Sequence, residues 1–354
     1  MLDNNIFEEP IYGWDFKKKN KFYLNEMKKL TFHHAKNCQQ YKNILQTLHD
    51  KSLNFKTLNN FPFIPVKLFK YLNLMSIEKK NVFKTMRSSG TTTNLPSVIF
   101  LDKINATNQT KVLTKIVTSF IGSTRLPMLV IDAKSTITTR KNFSARGAAI
   151  IGFSLFGKDI TYALNDDLSI NHKAVTDFYQ KYKNSKILIF GFTYLLYKNF
   201  LKQLSPKFKY TFTKESIVIH GGGWKKMYEE SITNLKFKSL IKKNIGINNV
   251  HNYYGLIEQT GSIFFECEHG FLHSSIYSDI MVRSNTIEAA KNSGKGIVQL
   301  LSPLATSYPG HNILTEDLGT IVGIDDCKCG RKGKYFTIEG RLKNAEIRGC
   351  SDTR

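Results

Sequence analysis

Ile217-Val218-Ile219-His220-Gly221-Gly222-Gly223-Trp224 carries an apolar, largely β-branched run straight into three consecutive glycines. The run has strand length, and the glycines cost conformational entropy that is tolerable where the backbone must turn tightly or lie flat against a ligand. Upstream, similar short apolar runs recur at Val98–Leu101, 128–131, 148–153 and 187–190. Amphipathic stretches of helix length, 106–120, 170–182 and 193–204, lie between them. Strand-length and helix-length segments in alternation specify α/β layers, with strands mostly parallel and the loops after their carboxyl ends free to meet a ligand.

Further out, residues 1–85 mix helical periodicity with many lysines and read as a helical N-terminal cover, ended by a turn at 60–65 that holds Pro62 and Pro65. Beyond residue 252 the texture changes to short strands punctuated by glycine. With 354 residues, 41% hydrophobic and 12% aromatic, the chain can bury a substantial core, which excludes a disordered polymer. Lys and Arg number 51 against 28 Asp and Glu, a net charge of +23. The lysines fall in small groups between apolar segments, such as Lys17 to Lys19 and Lys242-Lys243, so the excess reads as a diffuse positive surface rather than a nucleic-acid groove. A basic single-strand binder, suggested by that charge with 25 Phe and 16 Tyr, is the rival class. No run reaches the roughly 18 apolar residues of a membrane span. Residues 1–10 carry Asp3, Glu8 and Glu9 and no apolar signal region, which gives a cytoplasmic expectation.

Four segments carry chemistry. In Arg87-Ser88-Ser89-Gly90-Thr91-Thr92-Thr93, five hydroxyl side chains surround one glycine just ahead of a strand. Such a loop can aim hydroxyls and backbone N–H groups at phosphate oxygens, or it can be an ordinary solvated turn. Tyr253-Tyr254-Gly255-Leu256-Ile257-Glu258 offers an aromatic face for a purine and a carboxylate able to hold Mg²⁺. Cys267-Glu268-His269-Gly270-Phe271-Leu272-His273 and Cys327-Lys328-Cys329-Gly330 supply three thiols and a choice of imidazoles, with His273 preferred over His269. Four such ligands would close a tetrahedral Zn²⁺ with no open position, which makes the expected zinc structural.

Taken in order, the Ser/Thr/Gly loop, the glycine turn, Tyr-Gly-x-x-Glu, Thr315-Glu316-Asp317-Leu318-Gly319 and Gly340-Arg341-Leu342-Lys343 resemble the adenylate-forming acyl ligases. Leu304-Ala305-Thr306-Ser307-Tyr308-Pro309-Gly310-His311 and Ala345-Glu346-Ile347-Arg348-Gly349-Cys350-Ser351-Asp352 narrow the resemblance to LuxE-type acyl-protein synthetases. Thr93 stands where the superfamily's loop has a glycine, and Ile257 where it has a threonine. The resemblance implies the large domain of that superfamily, an α/β fold of layered, mostly parallel sheets, over residues 86–339. A hinge and acyl-acceptor tail would follow at 340–354, with the small lid truncated because eleven residues follow Lys343.

By the same resemblance, ATP phosphates lie in Ser88, Ser89, Gly90, Thr91, Thr92 and Thr93. Gly221, Gly222 and Gly223 with Tyr254 and Gly255 enclose adenine, Asp317 and Arg341 hold the ribose, and Glu258 holds Mg²⁺. Cys350 accepts the acyl group, with Lys343 nearby favouring its thiolate. A long-chain fatty acid is the implied substrate, and a reductase or an acyl carrier protein the implied partner. A ligase fold kept as an interaction module is the remaining alternative.

Overall fold

The computed structural model describes residues 4–49, 55–88, 95–138, 145–204, 210–224, 231–285 and 288–342. Contacts divide the chain into two compact units, one comprising Thr118–Tyr254, the other the described residues up to Val117 and from Gly255 onward.

In the first of these, five strands lie side by side in the order Gly157–Leu164, Leu126–Ala133, Leu188–Phe192, Ile217–Gly221 and Asn249–Tyr254, all parallel. Every residue of the middle three is buried. Burial on both faces is why these segments read as continuous apolar runs without alternation. Helices His172–Tyr182 and Asn234–Ile245 turn Val175, Phe178, Phe237, Ile241 and Ile245 onto the strand residues Leu129, Ile189 and Val218. Their starts are capped by the side chains of Asn171 and Thr233, and the second ends on Gly246 at φ +79°. Register places Gly221 beside Phe192 and Tyr253, at the carboxyl ends of their strands.

The sequence reading is corrected at two places. Residues 148–153, read as a strand, belong to helix Ala145–Ser154. Their run is too short for periodicity to separate a strand from a buried helix, and Gly147, Ala148 and Ala149 carry no β-branching to favour the sheet. The stretch 193–204 begins as an α-turn at Thr193–Leu195 but continues as a π-turn over Leu196–Leu201.

The other unit holds an antiparallel sheet in the order Asp279–Arg283, Gly294–Leu301, Asn312–Ile324, Lys334–Arg341, Leu272–His273 and Phe264–Glu266. Ile64–Pro65 pairs parallel to Asn312–Ile324, and Lys84–Arg87 with Val98–Leu101 forms a separate two-stranded sheet. Helix Phe16–Asn37 is fastened to this sheet by buried polar groups. Lys19 donates to Ser274 Oγ at 3.0 Å and pairs with Asp279 at 3.4 Å, while Lys334 pairs with the same carboxylate at 3.0 Å. Further along the helix, His34 Nε2 meets the Ala305 carbonyl at 2.9 Å. Among the described residues no helix is long and apolar enough to cross a membrane.

Candidate nucleotide site and metal centre

Ser88 closes the base of its loop. Its hydroxyl accepts the Ser97 N–H at 2.7 Å and its own N–H donates to the Ser97 carbonyl at 2.9 Å. Ser89, Gly90, Thr91, Thr92 and Thr93 lie outside the described residues, as do Lys343 and Cys350.

Of the three glycines after the strand, two are explained by neighbouring rings. A Cβ on Gly221 would sit 2.5 Å from the Tyr253 ring, and one on Gly222 2.6 Å from the Phe192 ring. Gly222 and Gly223 have φ of +79° and +63°, in the left-handed region, and of the three only Gly223 has no described residue within 4 Å of its missing Cβ. Tyr253, which lies against Gly221, is itself 4.9 Å from Phe153. Tyr254 is half-buried at the end of its strand. Thr193 ties the turn down, since its hydroxyl donates to the Gly221 carbonyl at 3.0 Å and meets His220 Nδ1 at 2.9 Å. That single hydroxyl proton is already used, so His220 carries its proton on Nδ1. Burial lowers the imidazole pKa to about 3.

In the other unit, Glu258 sits on the 3-10 turn Ile257–Gln259 at 3% exposure. Gly255, exposed, precedes that turn, and a Cβ there would lie 3.0 Å from Ile263. The Glu258 carbonyl accepts the Tyr308 hydroxyl at 2.8 Å, and Gln259 Nε2 donates to the carbonyls of Gly310 and Leu300 at 2.8 and 3.1 Å. Its carboxylate offers hard oxygen ligands of the kind Mg²⁺ takes, so the residue fits that ion. Asp317 and Arg341, far apart in sequence, are register partners on adjacent strands, with Arg341 Nε 3.2 Å from Asp317 Oδ1. The sequence reading gave no role to Gln109, which meets the loop through Thr260, or to the Tyr308 hydroxyl on the Glu258 carbonyl. The 304–311 run was the available signal, together with two amides four residues apart on one helix.

Cys267, His273, Cys327 and Cys329 converge, with their ligand atoms all within 4.8 Å of one another. Two turns of the same form present the thiols. The Gly270 N–H donates to the Cys267 carbonyl and the Gly330 N–H to the Cys327 carbonyl, each at 2.9 Å, with both glycines left-handed at φ +83° and +79°. His273 is fully buried on its strand with Nε2 3.3 Å from Cys329 Sγ, whereas His269 is exposed, so His273 completes the set. Burial pushes the Cys327 thiol up to about 12 and the His273 imidazole down to about 4. At Cys329 burial also opposes ionisation, but the Arg331 backbone and guanidinium outweigh it and hold the thiol below its usual value. Three thiols and one imidazole in a closed cluster are a donor set for tetrahedral Zn²⁺.

The family model for acyl-protein synthetase, LuxE, matches residues 1–354. The long-chain-fatty-acid–luciferin-component ligase of Aliivibrio fischeri is 23% identical over 99% of this chain and 92% of its own length. The enzyme of the same name from Vibrio harveyi is 20% identical over the same shares. Among solved structures, an open conformation of 2-hydroxyisobutyryl-CoA ligase in complex with 2-HIB-AMP and CoA superposes with a TM-score of 0.69 at 12% identity, over 94% of this chain and 77% of that one. The fold is therefore that of the adenylate-forming ligases, as the α/β reading expected.

Proposed function

The chain belongs to the LuxE acyl-protein synthetase family, and from that premise we propose that it activates a long-chain fatty acid with ATP and passes the acyl group to its own Cys350. The fatty carboxylate attacks the α-phosphorus of ATP, a P–O bond breaks and pyrophosphate leaves. The Cys350 thiolate then attacks the acyl-adenylate carbonyl, forming a thioester and releasing AMP. The observation that carries the nucleotide reading is the Asp317–Arg341 pair, which sets a carboxylate able to accept both ribose hydroxyls beside a fixed guanidinium. Gly223, which no described residue approaches within 4 Å of its missing Cβ, would face a flat base near the end of its strand. Ser89 to Thr93 supply phosphate contacts, and Tyr254 with Gly255 completes the adenine surround. Glu258 would hold Mg²⁺, which when bound offsets negative charge on the phosphate oxygens. Arg348 and Lys343, close in sequence to Cys350, favour its thiolate.

The four-ligand cluster holds a structural zinc in this reading. The enzyme works in the cytoplasm and hands its acyl group to a reductase or carrier protein. A net charge of +23 suits an acidic partner, because opposite charge speeds encounter more than it deepens affinity.

The test is intact-mass analysis after incubation with ATP, Mg²⁺ and fatty acids of graded length, alongside fatty-acid-dependent ATP–pyrophosphate exchange. A hydroxylamine-sensitive acyl adduct is expected, absent from Cys350→Ser while exchange persists. An adduct retained by Cys350→Ser removes the acceptor assignment, and a wild-type chain with no exchange removes the activity.

A further inference from the structure

The geometry points to Gln109 as a positioning residue that, through Thr260, sets the loop carrying Glu258 and thereby the carboxylate offered to the divalent cation; this rests on the reading of Glu258 above. Gln109 is 6% exposed on helix Lys103–Ile121. Its Oε1 accepts the Thr260 hydroxyl at 2.9 Å and its Nε2 donates to Asn105 Oδ1 at 3.1 Å. Asn105, fully buried one helical turn earlier, donates in turn to the Leu304 carbonyl and to Thr306 Oγ1 at 3.2 Å. The two amides therefore have one orientation, each relaying a donor toward the 304–311 segment and an acceptor toward Thr260.

The backbone is drawn in at the same place. Gly261, at φ +88°, lies so close to the helix that a Cβ there would sit 2.6 Å from the Gln109 carbonyl oxygen. Tyr308, whose hydroxyl also meets Thr260 and Gln109, donates to the Glu258 carbonyl, and a Cβ on Gly310 would sit 2.6 Å from that same carbonyl oxygen. The Glu258 turn is thus held by a helix and by a loop, each through a directional bond and a close backbone approach. Fully satisfied buried polar networks rigidify their surroundings and specify one arrangement, so the effect expected of this chain of amides is on geometry. Mg²⁺ demands near-ideal octahedral placement of its oxygens, which makes it sensitive to a small shift of one carboxylate.

Mg²⁺-dependent binding of a non-hydrolysable ATP analogue to the full chain, followed by calorimetry, and fatty-acid-dependent ATP–pyrophosphate exchange measured against Mg²⁺ concentration together test this. Thr260→Val removes the hydroxyl at constant shape, Thr260→Ser keeps it, and Gln109→Leu removes the acceptor. The half-saturating Mg²⁺ concentration should rise about fivefold in Thr260→Val and in Gln109→Leu, the scale of one lost hydrogen bond. No further rise is expected in the double variant, since both break one link, and the fatty-acid KM should stay put. Thr260→Ser should match wild type. An unchanged Mg²⁺ dependence in both single variants, or a loss of rate that only follows the fraction folded, overturns the inference while leaving the function intact. A wild-type chain that shows no exchange, or a Glu258→Gln variant with unaltered Mg²⁺ dependence, removes the functional reading and this inference with it.

Discussion

His311 should make the unit that contains it sensitive to mild acid. The ring is 1% exposed, stacked on His34 at 5.0 Å, with Nε2 3.0 Å from Thr31 Oγ1 and 3.4 Å from the Tyr41 hydroxyl. Its Nδ1 has no hydrogen-bond partner among the described residues. Burial, and to a lesser degree His33, lowers its pKa to about 3. A folded value depressed below the unfolded one means that the folded state binds fewer protons, so the stability is complete above the unfolded pKa and drains away as pH falls toward the folded one. With an unfolded pKa of about 6.5, the loss between pH 7 and pH 5 is about 2 kcal/mol from this one residue. That figure is the same for any folded value below about 4. It is also a large part of the roughly 5–15 kcal/mol that holds a typical domain together. The chain has two tryptophans, and a Trp224→Phe background leaves emission to Trp14, buried in the same unit as His311. Urea unfolding in that background should show parent and His311→Gln converging by about 2 kcal/mol as the pH drops from 7 to 5, because the amide does not titrate. Convergence of less than about 0.5 kcal/mol would refute a buried neutral His311, since linkage then leaves no room for the depressed pKa.

Three further outcomes come from the metal cluster and the strand-end glycines. Freshly purified protein should carry one zinc atom per chain by elemental analysis, lost in Cys267→Ser, and stripping it should lower the thermal midpoint because metal-binding free energy is folding free energy; purified wild-type protein free of zinc would end the assignment. Among the strand-end glycines, Gly221→Ala should destabilise its unit by about 1–3 kcal/mol through the Tyr253 ring. Gly223→Ala, with no described residue within 4 Å of the added Cβ, should cost about 1–2 kcal/mol of left-handed strain and raise the ATP KM; an unchanged ATP KM would detach that glycine from the nucleotide.

What the sequence made legible tracks how local each signal is. The middle strands of the parallel sheet were readable because burial on both faces leaves an unbroken apolar run, and the metal cluster because two Cys-x-x-Gly turns are self-contained. Asp317 and Arg341 were named only through order and resemblance, since nothing in either segment says that register will set them opposite one another. Residues 148–153 misled because six apolar residues fit a strand and a buried helix equally well until neighbours decide. The glycine run shows the limit most clearly. Three adjacent glycines suggested one cause, a ligand lying against the backbone, yet the rings of Tyr253 and Phe192 account for Gly221 and Gly222. Those rings come from strands whose adjacency is a property of the sheet, invisible in the run itself. The same holds for Gln109, an ordinary helical amide until Gly261 and Thr260, about 150 residues later in the chain, are laid against it. Residues that bind chemistry directly are constrained in type and spacing and so can be recognised in one dimension. Residues that hold those in place are constrained only by what the fold brings beside them, so the positioning part of the site had to come from the structure.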